Sequence, residues 1–489
     1  MKNTIAALVA VGLAAVLATP ALADASPSTR DIQSAVDSYL AGSDQDVNLV
    51  GGPGSAGYDQ GFFIQGGDFT LRINLTLQAR YEAWLWDDDA KEAPNALPAP
   101  VAGGAGDLGT SAGDLSGFSL PRATLKFAGT APCSISYYME LEFGHWGDDR
   151  IRQEMFGAAG ITAFANNQLG PLNQSFNFDN TREAWIQWSS SDAFNVRMGQ
   201  IRTATTRQMM IAPELQQFVD VSLASAYTGW IMPGYTDRNR DHGVGFFGNF
   251  GCNGEFSYLV TVTNGDGGDS IRNVLDNRTS DNLAYSARVN WAFLNPIGYQ
   301  EGALRQQTCD WYGEVGAWVY YYADRADRAH TQITDALRFG VDLALGWGGF
   351  SFTGAATLGS DENAAGNDAD HAAYLAQLGF HFPGTAWEIA ARWSTYDVEN
   401  EAPPFAAPGF VQPAVVSNGA VSEFAFGVNY YLNGHGNKLS LDVAFVSGSD
   451  EGSALLFDPY TGYQGPTDGA GFGDENYGIL LRFQWQLAL

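Results

Sequence analysis

The sequence is poor in cysteine, histidine and basic residues, and beyond residue 23 it has no long hydrophobic run. Its 489 residues include 3 cysteines and 6 histidines. No histidine lies at ligand spacing from a cysteine, so we expect no metal and no other cofactor. The 25 basic residues are outnumbered by 54 acidic ones, giving a net charge of −29. Such a surface repels phosphate backbones, so we expect no nucleic-acid partner. A membrane-spanning helix needs about eighteen or more consecutive apolar residues, and none is predicted.

The first 23 residues have the form of a secretory signal peptide. Lys2 precedes an apolar run over residues 5–17, and Ala21-Leu22-Ala23 offers a small-residue cleavage site. Residues 24–60 lack a barrel-like pattern, which indicates a periplasmic segment that forms either a short helix or a loosely ordered leader. No linker divides residues 61–489, so we predict one all-β unit there.

Residues 68–86 carry the strongest pattern in the chain, a strict alternation of apolar and hydrophilic side chains that ends in tryptophan. One face holds Phe69, Leu71, Ile73, Leu75, Leu77, Ala79, Tyr81, Ala83 and Leu85. The other holds Thr70, Arg72, Asn74, Thr76, Gln78, Arg80, Glu82, Trp84 and Trp86. A strand of about 9 to 11 residues crosses a bilayer, whereas strands of soluble sandwiches usually have about five or six. The pattern therefore predicts a strand between lipid and water.

Similar strands recur along the chain. We predict them at 68–86, 116–128, 134–146, 182–188, 194–202, 242–250, 255–263, 282–291, 311–322, 337–345, 350–358, 373–382, 387–396, 423–432, 439–446 and 477–489. Long and short connections alternate throughout, although the turn at 292–310 is long for the short-turn side. We therefore predict a 16-stranded antiparallel transmembrane β-barrel with short periplasmic turns and long extracellular loops. An even strand count lets the last strand pair with the first, leaving no open edge in lipid.

Acidic residues and cysteines fall mainly in the predicted connections. We expect the acidic clusters to be solvated loops rather than calcium sites, because none has the ligand spacing of an EF-hand. They are Asp87–Asp89, Asp266 with Asp269, Asp361–Glu362 and Asp450–Glu451. The three cysteines, Cys133, Cys252 and Cys309, lie in predicted periplasmic turns. Cys252 and Cys309 are on neighbouring turns, so a disulfide between them is one alternative in that oxidising compartment.

Two short segments match sequence motifs that occur in enzymes. Residues 109–113 fit the G-x-S-x-G nucleophile pattern, and residues 104–109 fit G-x-G-x-x-G. Neither has the preceding strand and following helix on which those motifs depend. We therefore predict no catalytic residues.

Several local sequences resemble the phosphate-selective porin O and P family over most of the chain after residue 60. They are residues 118–125 (FSLPRATL) with Gly129, 197–201 (RMGQI), 240–244 (RDHGV), 263–265 (TNG), 387–393 (WEIAARW) and 427–432 (GVNYYL). The resemblance implies a trimeric pore in the outer membrane whose third outer loop folds inward. The third long connection here is residues 203–241, in which Arg207, Glu214 and Asp220 are candidates to face the lumen.

The residues of the hydrophilic face are the candidate pore lining. The basic candidates are Arg72, Arg80, Arg122, Lys126, Arg197, Arg207, Arg288, Arg392 and Arg482. The acidic candidates are Glu82, Glu140 and Glu142, and we expect Glu183, Glu314 and Glu388 to share the same lumen. The resemblance implies a ladder of basic residues that would favour phosphate. The mixed signs instead favour a general hydrophilic pore in which most arginines form salt bridges in the wall.

Three function classes remain open on the sequence alone. The leading one is an outer-membrane porin, a passive diffusion channel for small hydrophilic solutes and for anions such as phosphate. Its expected partners are outer-membrane lipids, two further copies of the chain and the solutes. The second is a non-conducting barrel used for envelope anchoring or adhesion. The third is a secreted all-β enzyme, which inward aromatic residues such as Tyr138 and Trp185 would suit.

Overall fold

The computed structural model describes twelve stretches of the chain, which together contain every strand named below. They are residues 54–58, 61–86, 115–144, 181–230, 239–251, 253–265, 283–304, 310–322, 333–363, 368–400, 419–448 and 476–489. Several sequence predictions lie outside them: the signal peptide, the helix before residue 54, both enzyme motifs, Cys252, Cys309 and the acidic clusters at 87–89, 266–269 and 450–451. Cys133 is described, exposed and not in a disulfide.

The described chain folds into one sheet of eighteen strands, all paired antiparallel along it. Two short strands come first, β1 (Ser55–Tyr58) and β2 (Phe62–Gly66). The remaining sixteen are β3 (Phe69–Trp86), β4 (Leu115–Ala131), β5 (Ile135–Glu142), β6 (Thr181–Ser191), β7 (Phe194–Arg202), β8 (Arg240–Phe250), β9 (Phe256–Thr263), β10 (Ala284–Ala292), β11 (Tyr312–Tyr322), β12 (Ile333–Trp347), β13 (Phe350–Asn363), β14 (Asp368–His381), β15 (Trp387–Asn400), β16 (Gly419–Asn433), β17 (Asn437–Gly448) and β18 (Asn476–Ala488).

The sixteen longer strands close into a barrel, as the sequence predicts. Each pairs with the next along the chain, and β18 returns to pair with β3, with Arg482 opposite Glu82 and Leu487 opposite Leu77. Closure removes the open sheet edge, whose unpaired backbone groups would be costly in lipid. The short turns lie at one end, called the turn end, and the long connections at the other, called the loop end.

Side chains on the barrel wall alternate between two environments. In β12, Val341 on the outer face is 55% exposed, whereas its neighbour Asp342 on the inner face is 3% exposed. Large apolar side chains dominate the exposed face around the barrel, and buried polar and charged side chains dominate the inner one. This is the inverse of a soluble protein, because the outer face meets hydrocarbon and the inner face meets polar groups.

The outer face gives a direct test of membrane insertion. Replacing Val341 by arginine should destabilise the barrel in phospholipid vesicles by about 2–4 kcal/mol, because Val341 lies near the middle of a lipid-facing strand. Urea titration followed by tryptophan fluorescence measures the change, and Val341→Leu is the matched control, expected to be close to neutral. Equal stability of the arginine and leucine variants would place this face outside the hydrocarbon.

Proline within β4 is accommodated by a bulge. Gln78 of β3 is opposite Arg122, and Arg80 is opposite Ser119, so Leu120 and Pro121 together occupy the space of one β3 residue. Proline lacks the N–H that a regular ladder requires, and a bulge leaves that position unpaired. The bulge keeps both Ser119 and Arg122 on the inner face.

Two features of the strands differ from the sequence predictions. Ser55–Tyr58 forms β1, although residues 24–60 showed no barrel-like pattern. With β2 it makes a hairpin that pairs along residues 69–73 of β3, at the turn end. The prediction that Asp361–Glu362 belongs to a solvated loop is wrong. Both residues lie in β13, and Asp361 is buried, because it pairs with Arg338 of the adjacent β12 and with His371 of β14.

Helical structure in the described chain is concentrated between β7 and β8. It comprises α1 (Arg207–Met210), a 3₁₀ turn (Pro213–Leu215) and α2 (Leu223–Trp230). Among the described residues, no helix is both long and apolar enough to cross a membrane.

Candidate functional site: the barrel lumen

The connection between β7 and β8 lies inside the barrel, which is what the family resemblance implied for the third loop. Of its described residues, 203–230 are named the inner loop. Phe218, Leu223 and Ala224 pack against small inward-facing residues of the wall, including Ala390 and Ala425. The small wall residues leave room for the loop, and the apolar contact contributes to holding it in place.

The wall supplies hydrogen-bond partners for the inner loop's backbone, because a segment buried inside a barrel cannot use water for this purpose. Wall carboxylates accept from loop amides: Glu423 from Leu223 N at 3.0 Å, and Asp442 from Val219 N at 3.1 Å. Wall cations donate to loop carbonyls: Arg288 to Thr205 O at 2.9 Å, Arg392 to Asp220 O at 2.8 Å, Arg338 to Thr228 O at 3.2 Å and Lys438 to Gln216 O. These side chains are therefore engaged in fixing the loop.

Asp220 of the inner loop lies at the centre of three wall arginines. Its carboxylate is 2.7 Å from Arg80, 3.0 Å from Arg122 and 3.5 Å from Arg482. Arg80 also pairs with Glu82 at 2.7 Å, and Arg482 makes two bonds to Asp442 at 2.7 and 3.0 Å. We call these six residues the Asp220 cluster. Three positive and three negative charges cancel within it, and all but Glu82 are buried.

Most of the other basic candidates are also paired with carboxylates. Arg288 makes two bonds of 2.8 Å to Asp342, Arg207 lies 2.9 Å from Glu314, Arg392 pairs with Glu423, and Lys126 pairs with Glu214 of the inner loop. Among the acidic candidates, Glu140 and Glu142 both contact Arg182. Arg72, near the start of β3, is exposed at the turn end. The geometry thus matches the expected salt-bridged wall more closely than an open ladder of cations.

The pair between Lys126 and Glu214 gives a pH prediction. Burial raises the pKa of Glu214, but the Lys126 charge and hydrogen bonds outweigh that effect and lower the pKa to about 2. Because the folded-state pKa is depressed, the ion pair is present at neutral pH and is lost only as pH falls through that value. We therefore expect the difference in ion selectivity between the wild type and Glu214→Gln to be the same at pH 7 and near pH 4. A difference that vanishes by about pH 4 would contradict the assignment.

A second segment enters the lumen from the turn end. The long connection after β10, described up to residue 304, turns inward, and Ile297, Gln300, Glu301 and Ala303 are buried there. We name residues 297–304 the inner turn. Tyr299 Oη accepts hydrogen bonds from Arg288 at 3.1 Å and from Asn290 at 2.9 Å, which attaches the segment to the wall of β10.

The inner turn contacts the inner loop through Glu301. This carboxylate accepts from Gln208 Nε2 at 2.6 Å, from Gln217 N at 2.9 Å and from Gln377 Nε2 at 3.0 Å. Its backbone N–H donates to Leu215 O at 3.0 Å. The lumen is therefore narrowed from both ends at once, along the wall from β10 to β18 and on to β3 and β4.

Across the lumen, on strands β5 to β8, four planar side chains form a stacked row. The rings of Tyr138 and Trp185 are 5.4 Å apart and 23° from parallel. The Arg197 guanidinium lies 3.8 Å from the Trp185 ring centre and 4.7 Å from that of Phe247. All four residues are partly exposed. Gly199, opposite Trp185, has φ of 136°, and a Cβ there would lie 2.2 Å from Ala184 O, so only glycine fits beside the ring.

Several residues of the site were not among the sequence candidates. They are Asp342, Asp442, Glu423, Glu301, Gln187, Phe247 and Lys438. Asp442 is directly opposite Arg482 and Asp342 lies diagonally across from Arg288, so the strand register would have revealed both. Glu301 is reached only through the inward turn, for which the sequence has no periodic signal.

A closed barrel with an apolar outer face and a charged lumen narrowed by an inward loop is a porin. This fold and lumen are those of a channel. Within the part of the chain that the structure describes, no cluster of histidine, cysteine and acidic residues forms a metal site.

The chain belongs to the family described as "Phosphate-selective porin O and P", whose sequence profile matches residues 106–456. It is an outer-membrane diffusion channel. A search of curated proteins finds no match. The fold is similar to that of an anion-selective porin from Comamonas acidovorans, with TM-score 0.50 and 14% identity over 86% of this chain and 100% of that one. Weaker similarities include OprB of Pseudomonas putida, with TM-score 0.47, 12% identity, and coverage of 86% and 94%. Another is the trimer form of OmpT of Vibrio cholerae, with TM-score 0.45, 11% identity, and coverage of 85% and 99%.

Proposed function

We propose that this channel sorts small hydrophilic solutes by size and charge, with at most a weak preference for anions such as phosphate. The observation that carries the proposal is the neutral Asp220 cluster, in which three arginines are already bonded to carboxylates of the chain itself. Selective passage of phosphate needs cations and donors that are free to replace its water. The family's description supports phosphate as a permeant anion, whereas the paired lumen argues against a dedicated phosphate filter.

Reversal potentials in planar bilayers test the proposal. A gradient of potassium chloride should give a modest preference for chloride, and replacing chloride by phosphate should give a smaller current in line with the larger hydrated ion. A bulky organic cation should pass poorly because of its size. Strong block of the chloride current by low concentrations of phosphate would contradict the proposal and favour a phosphate filter.

A non-conducting barrel for envelope anchoring or adhesion is the second candidate. It is favoured by the contact between the inner loop and the inner turn, since Glu301 joins them by hydrogen bonds of 2.6 and 2.9 Å. Stable single-channel currents from the purified protein would exclude it. Their absence at any voltage would support it over the open channel.

We also propose that the chain is secreted with cleavage before Asp24, inserts among outer-membrane lipids and assembles as a homotrimer. The trimer rests on the family resemblance, and the cleavage on the Ala21-Leu22-Ala23 site. Intact-mass measurement of protein from outer membranes tests the cleavage site. Native mass spectrometry and gels run with and without heating test the trimer, which should dissociate only on boiling.

A further inference from the structure

Arg197 stands apart from the other lumen arginines. Its Nε donates to Gln187 Oε1 at 3.2 Å, and one terminal nitrogen donates to the same oxygen at 2.8 Å. Within the described residues no carboxylate forms an ion pair with it. A guanidinium has five N–H groups, so three remain for another acceptor. Because the side chain is partly exposed, these donors are accessible from the lumen.

The stacked row gives this arginine an aromatic setting. Tyr138, Trp185, Arg197 and Phe247 come from four consecutive strands, and neighbouring strands are about 4.7–4.9 Å apart. Because these side chains stack from one strand to the next, the plane of each one stands roughly perpendicular to the barrel wall. Their edges therefore line the lumen. Aromatic edges carry partial positive charge, which favours the face of another ring or a nearby anion.

We infer that the stacked row binds planar carboxylates that carry a ring, of the aromatic monocarboxylate class, as they pass through the channel. The carboxylate accepts from the remaining N–H groups of Arg197, and the solute ring packs against the edges of Trp185 and its neighbours. An inorganic anion lacks the ring, and a neutral sugar lacks the charge, so each makes only half of these contacts. The inference rests on the proposed diffusion function.

The position of the row supports a role in permeation. The inner loop and inner turn bury the wall from β10 to β18 and on to Arg80 and Arg122 of β3 and β4, whereas Tyr138, Trp185, Arg197 and Phe247 keep exposed surface on strands β5 to β8. Lys126 and Glu214, which border this sector from β4 and the inner loop, are also partly exposed. A solute crossing the lumen therefore passes close to the row.

Block of the chloride current measures the binding. Benzoate is added to one side of a bilayer containing the full-length protein, and its half-blocking concentration is compared with that of cyclohexanecarboxylate. The two anions have the same charge and similar size, but only benzoate has a flat aromatic ring. We expect the half-blocking concentration of benzoate to be about fivefold to tenfold lower than that of cyclohexanecarboxylate. Glucose should not block the current at the half-blocking concentration of either anion.

Three variants separate charge, stacking and general disturbance of the wall. Arg197→Lys keeps the charge but loses the planar fork, and Trp185→Leu removes the central ring. Each should weaken benzoate block by about tenfold, with block expressed as a fraction of that variant's own unblocked chloride current. Trp188→Leu is the control, because Trp188 lies on the same strand but faces outward and is exposed. Benzoate should block the current of this variant at the same concentration as in the wild type.

Quenching of tryptophan fluorescence by benzoate, measured on the protein in detergent, detects binding even if the barrel carries no current. Quenching that is lost in Trp185→Leu and kept in Trp188→Leu supports the site even then. Equal block by benzoate and cyclohexanecarboxylate, block by glucose, or unchanged binding in Trp185→Leu would overturn the inference. A wild type that binds benzoate without conducting would overturn the diffusion channel instead.

Discussion

Asp220→Asn should convert the channel to clear anion selectivity. The change removes one of three negative charges from the Asp220 cluster, while Arg80, Arg122 and Arg482 keep their positive charges. One extra charge acting over about 4 Å in a water-filled lumen is worth about 1 kcal/mol for each ion, favourable for chloride and unfavourable for potassium, so the ratio of chloride to potassium permeability should rise roughly thirtyfold. Partial release of the inner loop should add to this by exposing the arginines.

The measurement is the reversal potential across a potassium chloride gradient. Asp192→Asn is the matched control, since Asp192 lies exposed in the turn between β6 and β7. Removing one partner from a buried ion pair costs about 3–5 kcal/mol, so we also expect faster proteolysis within the inner loop. If Asp220→Asn and Asp192→Asn show the wild-type permeability ratio, the cluster does not influence the permeating ion.

Glu301→Gln should increase the single-channel conductance and the noise of the open channel. The Glu301 carboxylate accepts from three donors, all at 3.0 Å or less. A glutamine amide turns one acceptor into a further donor, and each buried group left unpaired costs about 1–3 kcal/mol. The inner turn and the inner loop should then separate for part of the time and widen the lumen.

Single-channel recording at fixed voltage measures both quantities. Glu399→Gln is the control, because Glu399 is exposed at the loop end of β15 and far from the inner turn along the barrel. A conductance equal to that of both the wild type and the control would mean that the contact between the two inner segments does not limit the current.

The barrel itself was predictable because its two surroundings are so different. Hydrocarbon outside and a polar lumen inside impose a two-residue alternation on the strands, and Phe69–Trp86 shows it until the hydrophilic face becomes aromatic at Trp84. The ends of the strands were harder to predict from the sequence. Asp361 reads as part of an acidic loop, but Arg338 and His371 on neighbouring strands hold it within β13.

The lumen was predictable only in outline. Asp220 was a candidate for the lumen, yet its three arginine partners come from strands far apart in the sequence. The inner turn is recognisable as an unusually long connection, but its inward path depends on contacts with Leu215 and Gln217 of another loop. The stacked row needs Phe247, whose strand is rich in glycine and alternates weakly. Such long-range pairings leave no periodic trace in a single sequence.

The hairpin of β1 and β2 affects how β18 pairs with β3 to close the barrel. β2 occupies residues 69–73 of β3, while β18 ends with Ala488 opposite Thr76 and Leu489 N bonded to Leu75 O at 2.9 Å. A slip of β18 by two residues toward the turn end would bring Leu489 level with Ile73, a place already taken by Phe62. The hairpin is thus a steric stop against slippage of β18 toward the turn end, and it limits the registers in which the last strand can close the barrel.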